Sequence, residues 1–227
     1  MNKFVFLQVG NDPIAEMMVN SITQSNPNSQ IIQCSDPKTS KIEGVSEVFR
    51  LDSNSTNLMT FRLEAFSKLK LTEPAAYLDT DMLVLNKILV NQLLQEAEVA
   101  LCSRSFGRDA LINTNFRNMD LSEYRNKTLS EVYPILACFT ATKSHEFWCA
   151  CLANLLGLDK KFHGWYGDQE AMRNIAGTEK FKIRYVPESQ VACLPEHIDV
   201  NPNASCIHFK GPHRKSQMKD FYRLHFQ

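Results

Sequence analysis

The sequence predicts an α/β layered sheet, and three observations carry that prediction. Short apolar runs of strand length alternate with stretches of helical spacing, the pattern of a sheet covered by helices. The chain has 227 residues, 44% of them hydrophobic, with 8 Gly and 9 Pro, enough to bury the core of one large domain. One apolar run, Ala75 to Leu78, passes directly into Asp79-Thr80-Asp81. That puts charge at the carboxyl end of a strand, where open α/β sheets bind ligands.

The elements follow in order. Lys3 to Val9 is a Phe/Val/Leu strand stopped by Gly10, Asn11, Asp12 and Pro13, and an apolar-spaced helix continues to Ile22. Gln30 to Cys34 is the second strand, Leu58 to Leu69 a helix, and Ala75 to Leu78 the strand that meets the aspartates. Glu98 to Cys102 and Ile135 to Thr142 are further strands, the latter followed by an amphipathic helix from His145 to Leu156. A helix over Gln169 to Ala176 precedes strands at Phe181 to Val186 and Cys206 to Phe209. Residues 106–133 are polar and weakly periodic, an insertion of loop and short helix.

Composition narrows the function classes. Lys+Arg 25 balances Asp+Glu 25 and the pI is near 7.0, so no global field draws the chain onto nucleic acid. No apolar run reaches the ~18–20 residues that span a bilayer, and the N-terminal apolar stretch is too short for a secretory signal; a cytoplasmic protein, at most peripheral at a membrane, is expected. Seven Cys without a CxxC pair read as reduced, mostly buried thiols. Asn-x-Ser/Thr matches at Asn54, Asn126 and Asn203 are at chance level.

Three clusters carry candidate chemistry. In an extended chain, Asp79 and Asp81 project to the same side with Cα atoms about 6.6 Å apart; a divalent cation relieves their repulsion, and carboxylates plus substrate phosphates are the usual ligands of Mg²⁺ or Mn²⁺. The alternative is that they cap a turn. An EF-hand is excluded because Leu83 and Val84 stand where a ligand and a Gly are needed. The haloacid dehalogenase pattern places Thr or Val where this chain has Leu83.

Arg62 falls at about 40° on a helical wheel whose apolar stripe includes Leu58, Phe61, Ala65 and Leu69. An inward guanidinium needs an anionic partner, either a core carboxylate or a bound diphosphate. The third cluster is His208-Phe209-Lys210-Gly211-Pro212-His213-Arg214-Lys215, with an imidazole for a metal and amide, Lys and Arg for phosphate oxygens, or simply a basic loop. Asp168, between Gly167 and a helical pattern, suits a helix N-cap.

Taken together, these pieces resemble glycosyltransferases of the GT-A fold, most closely family 8 with its glycogenin-like and bacterial galactosyltransferase-like members. The matching segments are Tyr77-Leu78-Asp79-Thr80-Asp81, the basic Arg62 on the preceding helix, Gly167-Asp168-Gln169-Glu170 and His208-x-x-Gly211. The resemblance implies a single Rossmann-like α/β/α sandwich over 1–227 with a mixed, mainly parallel sheet, 106–133 as an acceptor-side insertion and 207–227 as a basic C-terminal loop. It implies a hexosyltransferase-like enzyme that moves a sugar from a nucleotide diphosphate sugar, with UDP as the expected nucleotide. The acceptor would be a saccharide, lipid-linked or protein hydroxyl.

By the same resemblance Asp79, Asp81 and His208 bind Mn²⁺ or Mg²⁺, Asp79 also touches the ribose, and Asp168 and Gln169 lie beside the transferred sugar. Asp168 or Glu170 would be the base if the reaction inverts the anomeric centre. Arg62, Gly211, Arg214 and Lys215 surround the diphosphate; Val9, Gly10 and Asn11 are expected to hold base and ribose because the carboxyl end of the first strand faces this crevice. The chain departs from the family in having Arg214 three residues after Gly211, where Lys is usual, and in lacking an Asn in Pro134-Ile135-Leu136-Ala137-Cys138-Phe139. Two other readings stand beside this one: a metal-dependent phosphohydrolase with Asp79 as nucleophile and Asp81 as acid, and a non-catalytic nucleotide-sugar-binding module.

Overall fold

The structure is a computed structural model and describes residues 1–52 and 56–227; the sequence match at Asn54 lies outside them. Strands β1 (Lys3–Gln8), β2 (Gln30–Ser35), β3 (Glu47–Arg50) and β4 (Ala75–Leu78) come first, with helices α1 (Ile14–Ser25) and α2 (Leu58–Lys68) in the β1–β2 and β3–β4 connections. Then follow β5 (Met82–Val84), α3 (Val90–Leu94), β6 (Val99–Ser103), and a small hairpin of β7 (Asn115–Phe116) and β8 (Met119–Asp120). The chain continues through α4 (Leu129–Val132), β9 (Ile135–Thr142), α5 (Glu146–Leu156), α6 (Lys161–Gly164) and α7 (Gly167–Ala176). It ends with β10 (Ile183–Pro187), α8 (Glu188–Val191), β11 (Cys206–His208) and α9 (Pro212–Phe226).

The main sheet has seven strands in the order β10-β6-β9-β4-β1-β2-β3. All neighbours are parallel except at β9, which runs against both β4 and β6. This is the mixed, mainly parallel sheet that the sequence predicts. Side chains alternate across it. Phe4, Phe6, Ala76 and Leu78 face α1 and its neighbours, while Val5, Ala75 and Tyr77 face α2, α5 and α7, so both faces are covered and the strands read as unbroken apolar runs. On the second face Phe66, Tyr77 and Trp148 form an aromatic cluster with centroids 4.7–5.1 Å apart.

Five features differ from expectation. Val9 is not part of β1, which ends at Gln8, and β3 and β5 emerge where no strand was expected. Residues 79–81 are a turn joining β4 to β5, not an extended segment; strand alternation is therefore not what brings Asp79 and Asp81 together. Residues 212–226, expected as a loop, form helix α9. Gly211, at φ +85°, sets its start, Pro212 occupies the first turn where a missing N–H costs nothing, and Met218 and Tyr222 bury against Leu83, Ile207 and Phe209. Spacing of i, i+3, i+4 at Met218, Phe221 and Tyr222 was the available signal; the density of cations in the segment masked it.

Candidate active site

The register Phe6 to Leu78 brings the loop after β1 and the turn after β4 to the same sheet edge. From there β5 pairs antiparallel with β11, His208 opposite Met82, and the Phe209 amide donates to the Asp81 carbonyl at 2.8 Å. Asp79, Asp81 and His208 thereby converge, each offering a ligand atom within 4.8 Å of the others. The His208 Nε2 to Asp81 Oδ1 distance is 3.3 Å, and Lys215, from the first turn of α9, reaches Asp81 Oδ2 at 3.2 Å.

Arg62 lies on the inward side of α2, as its wheel angle predicts, and is 8% exposed. Its guanidinium is fully engaged by the protein, with Asp79 Oδ1 at 2.8 Å, Asp168 Oδ2 at 3.0 Å and the Ala137 carbonyl at 2.7 Å. Arg62 therefore links the two acidic segments, at Asp79 and Asp168. Asp168 is not the N-cap of α7. That position belongs to Tyr166, in the left-handed region at φ +59°, while Asp168 is the second residue of the helix, within its first turn, and accepts from the Gln169 amide at 2.8 Å.

The sharp entry into α7 depends on Gly167. A Cβ there would lie 2.2 Å from the Phe162 carbonyl oxygen and 2.4 Å from Leu155 Cδ1, and the first of these is backbone that cannot swing aside. Gly167→Ala is accordingly expected to cost at least about 1–3 kcal/mol of overpacking strain, read as a lowered urea midpoint. An unchanged midpoint would show that this turn can relax.

Electrostatics in the cluster reflect three carboxylates facing two fixed cations, Arg62 and Lys215. Burial and the neighbouring Asp81 raise the pKa of Asp79 against the pull of Arg62. Burial also opposes charge on Asp81, yet the hydrogen bond and charge of His208, with Lys215, hold it at about 2. His208 is raised although burial disfavours its cation, and the hydrogen bond and charge of Asp81 are the cause. Cys138, hydrogen-bonded to Cys102 and buried, has a pKa well above the usual thiol value and stays neutral, so the negative charge comes from Asp81.

The other expected residues are distributed around this centre. Gly10, at φ +81° with open space where a Cβ would be, donates from its amide to Thr39 Oγ1 at 2.8 Å, and Asn11 accepts from the Ser40 amide at 2.9 Å; Val9 precedes them in the same loop. Arg214 turns away from the aspartates to Glu196, with Nε to Oε2 at 3.1 Å, and Glu196 is held at about 2, chiefly by that hydrogen bond. Gln169 and Arg214 line a cavity of about 500 Å³ with Arg104, Tyr166, His197 and Lys210. Glu170 is occupied by Tyr124 at 2.9 Å and Arg173 at 2.5 Å, which removes it as a free base.

Two residues of this region escaped sequence reasoning. Glu188 is fully buried and accepts from the Ser105 and Phe106 amides and from Lys210 at 2.9–3.1 Å, tying the loop after β6 to the segment after β11. The other is Arg104, the first residue after β6. Neither stands in a motif; a buried charge at a strand end is visible only once the strands are assembled.

No family model matches the sequence, and no curated protein does. Solved structures do. A galactosyltransferase, LgtC, in complex with donor and acceptor sugar analogues, is similar over 99% of this chain and 96% of its own, at TM-score 0.60 and 12% identity. An active-site variant of LgtC with a glutamine replaced by glutamate covers 96% and 95% at TM-score 0.56 and 14% identity. The glycosyltransferase GlyE of Streptococcus pneumoniae TIGR4 is matched over 97% of this chain and 60% of its own, at TM-score 0.57 and 12% identity. The chain has the fold of these GT-A-type glycosyltransferases.

Proposed function

We propose that this protein is a metal-dependent glycosyltransferase that moves a sugar from a nucleotide diphosphate sugar, a UDP-sugar, to a hydroxyl acceptor. The observation that carries the reading is the Asp79–Asp81–His208 cluster at the carboxyl edge of the sheet, in a fold shared with an enzyme seen with donor and acceptor sugar analogues. Two carboxylates and an imidazole suit Mn²⁺ or Mg²⁺, the imidazole tilting the set toward Mn²⁺. A bound divalent ion would supply Lewis-acid stabilisation of the departing diphosphate.

The chain's own residues do the rest. Lys215 provides positive charge beside the aspartates for phosphate oxygens, and the positive-φ Gly211 lets backbone approach closely. Arg214, engaged by Glu196, contributes charge at the cavity wall instead. Arg62 is a positioning residue, holding the Asp79 and Asp168 carboxylates in fixed orientation. Asp168 and Gln169 are assigned to the sugar; the glutamine replaced in the active site of LgtC supports a glutamine there. Val9, Gly10 and Asn11 are assigned to base and ribose, and 106–133 to the acceptor side.

The test is incubation with a panel of nucleotide sugars, Mn²⁺ and saccharide acceptors, reading free nucleotide diphosphate against inorganic phosphate. Release of nucleotide diphosphate from one sugar nucleotide is expected. Inorganic phosphate would instead make Asp79 the nucleophile of a phosphohydrolase, and tight binding with no turnover would identify a non-catalytic module.

A further inference from the structure

Arg104 is a buried cation with no anion of its own. It follows β6, is 8% exposed, and donates from Nε to the Tyr133 carbonyl at 2.8 Å. Among the described residues no carboxylate lies within ion-pair distance of its guanidinium. Glu188, the acid whose charge acts on it through space, already receives two amides and Lys210. A guanidinium keeps its proton, and a buried one without a counter-charge is costly. The rest of the site contrasts with this, because Arg62, Arg214 and Lys215 all have carboxylate partners.

What Arg104 faces is open space on two sides. It lines the cavity of about 500 Å³ that contains Gln169, and also a second cavity of about 400 Å³ lined by Arg108, Ser130, Arg173 and Tyr185. Arg108 is exposed and without an ion pair among the described residues, and Tyr185 is 53% exposed, an aromatic face on which a sugar ring can stack. We infer that Arg104 is the receptor for an oxyanion carried by the acceptor, and that the enzyme's acceptor is an acidic saccharide whose charged group seats between the two cavities, with the chain beyond it running past Arg108 and Tyr185. The inference rests on the transferase reading for the word acceptor, but the binding it requires does not depend on turnover. A planar fork of donors matches a carboxylate or a phosphate equally, so the two sources need separate probes.

The experiment is calorimetry on the full chain with glucuronate, glucose 6-phosphate and neutral glucose, in parallel with UDP plus Mn²⁺. One or both charged sugars should bind at least about tenfold more tightly than glucose, and whichever does identifies the oxyanion. Arg104→Met should remove that preference, and Arg104→Lys, which keeps charge but not the fork, should retain part of it. Equal binding of all three sugars by the wild type, or an unchanged preference in Arg104→Met, overturns the inference. Should Arg104→Met fail to fold, the wild-type comparison and Arg104→Lys decide. Failure of UDP to bind while the charged sugars do would discard the donor reading and leave the oxyanion site standing.

Discussion

Arg62→Met should lower the unfolding free energy by about 3–5 kcal/mol, the usual consequence of removing one partner from a buried ion pair. Its guanidinium spans Asp79 and Asp168, and the two acids are not equally exposed. The Asp168 side chain is 5% exposed and, among the described residues, keeps only the Gln169 amide at 2.8 Å when Arg62 is gone. The Asp79 side chain is 32% exposed, so water screens part of its loss. Most of the cost therefore falls on Asp168, and the double variant Arg62→Met/Asp168→Asn should recover a large share of the stability that Arg62→Met loses, a coupling a double-mutant cycle reads directly. Urea unfolding of the ligand-free protein measures both. A loss below about 1 kcal/mol would mean that the guanidinium is held for a ligand and that its contacts with the two acids contribute little.

The same residue shows how far the sequence could be read. The helical period places Arg62 inward and requires an anion, but periodicity leaves the anion's identity open between a core acid and a diphosphate. The choice depends on Asp168, more than a hundred residues away, and on a turn at Gly167 whose need for glycine comes from the Phe162 carbonyl. Strands β1, β2, β4, β6 and β9 were legible because burial on both faces of the main sheet makes them predominantly apolar, and β11 because Cys206 and Ile207 are buried and run on into buried Phe209. β3 was not, since its Glu-Val-Phe-Arg has only half-buried or exposed side chains at the sheet edge. Alternation along a strand predicts that Asp79 and Asp81 converge, but a turn and the β5–β11 pairing are what bring them together. Arg104 and Glu188 had no local signature because their environment is made by contacts distant in sequence.

Asp81→Ala should abolish the metal dependence of UDP binding and weaken it by at least about a hundredfold, ~2.8 kcal/mol at 1.4 kcal/mol per tenfold. Asp81 has 11% side-chain exposure and sits between His208 and Lys215, so its removal takes away a candidate ligand and leaves an imidazole and an ammonium facing each other. The variant retains Lys215 as an attractor for phosphate, and the weak binding that remains should therefore be indifferent to a chelator and should fall with added salt. Asp79→Ala is expected to lose metal-dependent binding as well, but with a second effect, because it also frees half of the Arg62 fork; its stability must be compared before its affinity is interpreted. His208→Ala removes the imidazole without unpairing Arg62 and should weaken metal-dependent binding while the main sheet stays folded. Calorimetry with UDP, with and without Mn²⁺, on each variant shown folded by circular dichroism, reads these outcomes. Chelator-sensitive binding of wild-type strength in folded Asp81→Ala would remove Asp81 from the metal site, and the carboxylate would then be a structural partner of Lys215 and His208.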